Sequence, residues 1–124
     1  MGFDETCGFR LLEAAEGRAR VELDVGPHLV NVNGTLHGGA IATFIDHAGT
    51  LAIKSADRQG RPGVSTDLNV TFFLPAPGGV TVVAEAQVLK IGKTLAFVTV
   101  DVKLPDGRLV AQGRMTKFQG VTPG

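Results

Sequence analysis

Residues 18–25, Arg-Ala-Arg-Val-Glu-Leu-Asp-Val, alternate strictly between charged and apolar. That period of two belongs to a strand with one face in a core and the other in water. A shorter strand over residues 9–14 precedes it, with Gly17 in the turn. The alternation returns later in the chain. Val64, Thr66, Leu68, Val70 and Phe72 share one face of a strand over 64–74. Val80, Val82, Ala84, Ala86 and Val88 do so over 80–90, and Ala96, Val98, Val100 and Val102 over 94–104, before a last strand over 108–118. The links at 75–79, 91–93 and 105–107 are short and rich in Gly, Pro and Asp, as tight turns require. Strands joined so closely run antiparallel.

Between these two groups the period changes. Residues 26–39 form a loop rich in Gly, Pro, Asn and His, ending in Thr35-Leu36-His37-Gly38-Gly39. Residues 40–55 read as the one long helix, with Ala, Ile, Phe and Leu on nearly every face. Such a helix is expected to be buried on most sides. Gly49 in its interior costs about 1 kcal/mol relative to Ala, so close packing is the expected reason for it. Residues 56–63 are a polar loop. The order of strand, strand, helix and four strands predicts an α+β fold. One long central helix is wrapped by a curved antiparallel sheet of about six strands. Val83, Leu89 and Phe73 lie on the opposite strand faces and predict a partly apolar outer surface.

Composition narrows the function. The chain has 124 residues, one domain's worth, which is read as a single domain over 1–124. Twelve basic and twelve acidic residues cancel, and there is no Trp or Tyr, so neither charge nor stacking favours nucleic acid. No run reaches the roughly 18 apolar residues of a membrane span. Cys7 is the only cysteine, which excludes an intrachain disulfide. The acidic start lacks a signal peptide's basic region. A cytoplasmic location is expected, and a mitochondrial one is compatible with a leader removed before position 1.

The residues that could carry chemistry cluster around the helix. Asp46 sits within the apolar run, and its helical neighbours Ala42, Thr43, Gly49 and Thr50 offer no cation. A buried, unpaired carboxylate is costly and marks functional sites; a solvated helix face is the equally open alternative. His37-Gly38-Gly39 stands at the helix start, where amides lack intrahelical acceptors and the dipole is positive. A carbonyl oxygen gaining charge could bind there, although such a tripeptide alone is usually an ordinary junction. Asn31 and Asn33 could cap the loop. Ser65 and Asp67 are expected to project to the same side of their strand. Lys90-Ile91-Gly92-Lys93-Thr94 lacks the spacing of a phosphate-binding P-loop, but its lysines and the Gly92 amide could contact phosphates. A Ser65–His37–Asp46 triad lacks a nucleophile elbow. His28, His37 and His47 match no metal-ligand spacing, so no metal is expected.

In sequence order, Asn33-Gly34-Thr35-Leu36-His37-Gly38-Gly39 followed by Asp46 resembles the signature of hotdog-fold acyl-CoA thioesterases of the phenylacetate-degradation type. The likeness continues through Gly63-Val64-Ser65-Thr66-Asp67-Leu68-Asn69-Val70, Phe73-Leu74-Pro75-Ala76, residues 88–97 and Ala111-Gln112-Gly113-Arg114, spanning about residues 9–118. It implies a hotdog fold and a homo-oligomer, a dimer or dimer of dimers with active sites at the dimer interface. It also implies hydrolysis of acyl-CoA to a carboxylic acid and CoA, with no metal or cofactor, CoA being part of the substrate.

By that resemblance Asp46 is general base or nucleophile and the Gly38 amide polarises the carbonyl. His37 holds the loop or thioester, and Asn31 and Ser65 position the water. Gly39, Asp67, Phe72, Phe73, Leu74, Pro75, Lys90, Ile91, Gly92, Lys93, Thr94 and Leu95 line the CoA path. Phe44, Phe72 and Phe73 are candidates for the acyl pocket. Met115 and Phe118 depart from the pattern, standing where similar proteins carry histidines. The alternative is a non-catalytic acyl-CoA-binding regulatory module on the same fold. An enoyl-CoA hydratase of this fold would need an Asp–His pair on a different loop, which the sequence lacks.

Overall fold

The computed structural model describes residues 2–120. A short helix α1 (Phe3–Cys7) leads into strands β1 (Arg10–Ala15) and β2 (Arg18–Asp24). The long helix α2 (Gly38–Ala56) follows, then β3 (Val64–Phe72), β4 (Thr81–Ile91), β5 (Leu95–Lys103) and β6 (Leu109–Phe118). The six strands form one antiparallel sheet in the order β1-β2-β4-β5-β6-β3. After β2 the chain passes through α2 and returns at the far edge of the sheet as β3.

The expected elements are present, with two differences in the N-terminal half. α1 is a turn-length helix that no periodicity could announce. Tertiary contacts hold it: the His28 ring donates through Nε2 to the Thr6 carbonyl at 3.0 Å, and Asp4 Oδ2 lies 3.1 Å from His47 Nδ1. α2 begins at Gly38, before the apolar run, because the His37 side chain caps it. The β1–β2 turn needs positive φ at both central residues, as a two-residue type I′ hairpin does; Glu16 and Gly17 adopt 53° and 84°.

Ile41, Phe44, Ile45, Ala48, Ala52 and Ile53 on α2 are buried against Val21, Leu23, Val82, Ala84, Val98, Val100 and Ala111 of the sheet. Burying each large aliphatic or aromatic side chain contributes roughly 1.5–3 kcal/mol. Two glycines set the spacing of helix and sheet. A Cβ at Gly49 would lie 2.7 Å from Met115 Cε and 3.0 Å from Val98 Cγ1, and one at Gly113 would lie 2.7 Å from Ile45 Cγ2. Gly49 is therefore a close-packing glycine, as expected. The helix is not enclosed on most sides, however. Thr43, Asp46, His47, Thr50 and Leu51 form a half-open face.

The outer face of the sheet is more polar than expected. Leu89 and Phe73 are exposed, but the centre carries Glu85 between Lys103 (2.6 Å) and Arg20 (3.9 Å), with Gln112 donating to Asp101 at 2.7 Å. Such a face is already solvated. Apolar exposure also runs along the edge strand β3, at Val64, Leu68 and Phe72, continuing to Phe73. A long unpaired edge of this kind is a template for pairing with another chain.

Candidate active site

Asp46 projects from the half-open face of α2, and its side chain is 45% exposed. Of the two open readings the half-open helix face is the one found, and the acid is not unpaired. The Ser65 hydroxyl donates to Asp46 Oδ1 at 2.7 Å, and Lys117 Nζ lies 3.8 Å from the same oxygen. The other oxygen, Oδ2, has no hydrogen bond to protein among the described residues. Neither partner is a helical neighbour: Ser65 arrives on β3 and Lys117 on β6. Burial pushes the Lys117 ammonium below the usual lysine range, and the attraction of Asp46 counters this only in part.

A β-bulge makes this junction possible. In the β3–β6 ladder Ser65 pairs with Lys117 and Asp67 with Thr116, so Thr66 is an extra residue on β3. A bulge of this kind re-aims a side chain. Ser65 turns toward α2, while Asp67 falls on the outer face with Asn69 and Arg114. The expectation that Ser65 and Asp67 share a side is thereby overturned. So is the expected common face of β3, because Leu68, Val70 and Phe72 face inward while Val64 pairs with Phe118 on the outside.

At the start of α2, His37 Nδ1 accepts from the Gly39 amide at 2.8 Å, which leaves the ring proton on Nε2. Gly39 allows this cap, since a Cβ there would sit 3.0 Å from His37 Nδ1. The loop is pinned from both sides: His37 N donates to Leu29 O, and Leu36 N to Ala76 O, each at 2.8 Å. Asn31 Oδ1 accepts from Asn33 N, Thr35 N and Thr35 Oγ1. Only its amide hydrogens remain free to hold a water. The Gly38 amide has no acceptor among the described residues, and the Phe72 ring lies 3.6 Å from where a Gly38 Cβ would be. The Gly38 amide is therefore an unfilled donor at the positive end of a long helix.

Other proposed groups fall into place or out of it. His37 does not contact Ser65, so no triad forms. Among the described residues no group of three or more His, Cys, Asp or Glu could hold a metal ion. Lys90 and Lys93 are exposed at the β4–β5 turn. The Gly92 amide is spent on Leu95 O at 2.7 Å, so it is no phosphate donor. Ile91, Thr94 and Leu95 complete that turn. Asp67 lines a cavity of about 480 Å³ with Asn69, Phe97 and Arg114. Phe72, Phe73 and Pro75 are exposed and Leu74 is half-buried. Phe44 is fully buried and stacks on Phe9 at 5.4 Å.

Two features were not anticipated. One is Lys117, although its inward register with Ala111, Gly113 and Met115 was a readable signal. The other is an apolar cavity of about 360 Å³ beneath α1, lined by Phe3, Cys7, Leu29, Val30 and Ala40 and sharing His37 and Gly39 with the helix start. Cys7 is buried there, and that burial, with Asp4 nearby, raises its thiol pKa.

Residues 33–111, more than half of the chain, match the family model described as thioesterase superfamily. The chain belongs to the thioesterase superfamily. This thioesterase is 47% identical over 111 residues to acyl-coenzyme A thioesterase 13 of Homo sapiens, covering 89% of this chain and 79% of the human protein. It superposes on zebra fish thioesterase superfamily member 2 with a TM-score of 0.90 at 45% identity, covering 96% and 87% of the two chains. A mutant of the phenylacetic acid degradation protein PaaI of Thermus thermophilus gives a TM-score of 0.87 at 30% identity, with coverage of 95% and 98%. The thioesterase thus has the hotdog fold and is a thioester hydrolase. Among the described residues no helix is long and apolar enough to cross a membrane.

Proposed function

We propose that this thioesterase hydrolyses acyl-CoA at sites shared between two copies of the chain, with Asp46 of one copy acting on a thioester held at Gly38 of the other. The observation that carries this reading is the pair of unspent groups on α2, the Gly38 amide and Asp46 Oδ2. They are eight residues apart, which is about 12 Å along a helix rising about 1.5 Å per residue. A carboxylate cannot reach back that far to a carbonyl hydrogen-bonded at its own helix start. A second α2 alongside the first supplies the missing partner. The exposed β3 edge, with Val64, Leu68 and Phe72, is the surface for that pairing.

In the shared site the Gly38 amide donates to the thioester carbonyl and strengthens its bond as the oxygen becomes an oxyanion. Asp46 either takes a proton from water, whose hydroxyl adds to the carbonyl carbon, or adds directly through Oδ2. The tetrahedral intermediate collapses with cleavage of the C–S bond, and CoA leaves as thiolate; after direct attack a water then opens the acyl–Asp46 anhydride, releasing the acid and restoring the carboxylate. Thiolate is a good leaving group at neutral pH, so no metal is needed to activate it. Ser65 fixes the carboxylate, and the Asn31 amide is placed to hold water. Lys90 and Lys93 offer charge to CoA phosphates, and the cavity beneath α1 is open to the acyl chain.

Thiol release over short, long and aromatic acyl-CoAs tests the activity. Asp46→Asn is expected to lose at least about a hundredfold in turnover, the scale of general-base effects, while still binding CoA. A folded Asp46→Asn protein with near-normal turnover refutes the role. CoA binding without thiol release by the wild-type chain points instead to a non-catalytic regulatory module. Single-turnover hydrolysis in labelled water bears on the two chemistries: a protein oxygen in the acid requires an Asp46 anhydride that water opens at the Asp46 carbonyl.

A further inference from the structure

We propose that Lys117 is a positioning residue for Asp46: its buried ammonium, with the Ser65 hydroxyl, anchors one carboxylate oxygen so that the other faces the reacting centre. The inference rests on the catalytic role of Asp46 proposed above.

Lys117 is a lysine buried to 5% exposure. Taking an ammonium out of water is expensive unless a counter-ion repays it. The only ion-pair partner of Lys117 among the described residues is Asp46. Both anchoring groups approach Oδ1, at 2.7 Å from Ser65 and 3.8 Å from Lys117. They are cross-strand partners, and the bulge at Thr66 aligns Ser65 with Lys117. The sheet thus presents a hydroxyl and a cation side by side to one oxygen of the carboxylate on α2.

The other charged groups near this junction leave the pairing intact. Asp4 on α1 is engaged by His47, and Lys54 is exposed at the rim of a cavity of about 360 Å³ that Asp46 and Lys117 also line. No other carboxylate lies within ion-pair distance of Nζ among the described residues. Burial favours loss of the Lys117 proton at a pH below the usual lysine range. Loss of that proton would release the anchor.

The test uses full-length wild type, Lys117→Met and Asp46→Asn, and the double variant. Methionine keeps an unbranched apolar stem in the buried site, and the partner it leaves unpaired, Asp46, is 45% exposed and solvated rather than a stranded buried charge. The expected result is a folded protein with kcat lowered about tenfold or more and KM little changed. Wild-type kcat is expected to fall on the alkaline side, and Lys117→Met is expected to lack that limb. In the Asp46→Asn background the Lys117 substitution should have no further effect on kcat, because residues acting as a unit are not additive. A folded Lys117→Met enzyme with wild-type kcat and pH profile overturns the inference. If that variant does not fold, a wild-type kcat that stays flat through the lysine range overturns it equally. Turnover retained by Asp46→Asn removes the underlying catalytic reading instead, so the two failures are distinguishable.

Discussion

A site divided between two copies can be dissected by complementation, and the structure supplies unusually clean single defects. Gly38 is the first residue of α2, where proline is tolerated and often favoured. His37 before it is extended, with φ −60° and ψ 137°, as a residue preceding proline must be. A Cβ at Gly38 would meet the Phe72 ring at 3.6 Å, an ordinary contact. Gly38→Pro therefore removes one amide hydrogen for which the described residues hold no acceptor, and little else. If that hydrogen stabilises the oxyanion, kcat falls by roughly 10²–10³, or about 2.7–4 kcal/mol in the transition state. Asp46→Asn removes the other half of the chemistry, for a loss of about 10²–10⁴.

The two variants, co-expressed with different affinity tags and purified on both, give mixed assemblies. In a mixed dimer with shared sites, one site carries both defects and the other carries none. Turnover should then recover to roughly a quarter to a half of wild type, the range covering dimers and tetramers of random composition. Each variant alone should stay near or below about 1%. If each chain holds a complete site, every site in the mixture is defective. A mixed preparation no more active than its parents would refute the division of the site, and with it the argument from the length of α2.

Two further predictions concern the scaffold. Gly113→Ala places a Cβ 2.7 Å from Ile45 Cγ2 and 3.1 Å from its Cδ1. Ile is stiff at χ1 in a helix, so overpacking should cost about 1–3 kcal/mol, read as a lower urea midpoint at unchanged slope; no loss would mean that α2 is not held that close to β6. Asp57, just after α2, accepts from the amides of Gln59 and Arg61 and from the Arg61 guanidinium. That guanidinium holds its carboxyl well below the usual carboxylate range. Asp57→Ala should cost about 2 kcal/mol at neutral pH. Because the folded pKa is depressed, the wild-type advantage is full above the unfolded carboxyl value of about 4 and shrinks as pH falls toward the folded one. A difference between the two proteins that does not change with pH would exclude the ion pair as its source.

Most of the scaffold was legible because it follows the two periods of secondary structure. Alternation located β2, β4 and β5, and the run from Ala40 to Ser55 located α2. Gly49 announced the tight contact that Met115 and Val98 make. The helix start was legible only to within two residues: the apolar run begins at Ala40, and the His37 cap moves the start to Gly38. What alternation could not show was α1, which is shorter than any period and depends on His28 and His47. Nor could it show the bulge at Thr66. One extra residue reverses every face on one side of it, so Ser65 and Asp67 read as neighbours and stand on opposite faces.

The surroundings of Asp46 show the same limit at the site itself. Helical neighbours are the only partners that a helix position reveals, and those of Asp46 carry no charge. Its real partners come from Ser65 and Lys117, which lie 19 and 71 residues further along the chain. They converge only because β3 crosses to the far edge of the sheet and pairs there with β6. A lysine in the inward register of an otherwise apolar strand was the one local sign. Taken with an acid on the facing helix, it could have been read as a pair, because a buried ammonium needs a counter-ion. Such a reading needs the strand order as well as the sequence. The half-exposed carboxylate is therefore better explained as one end of a three-residue junction than as an isolated buried acid, and its remaining open oxygen is what a second copy of the chain would meet.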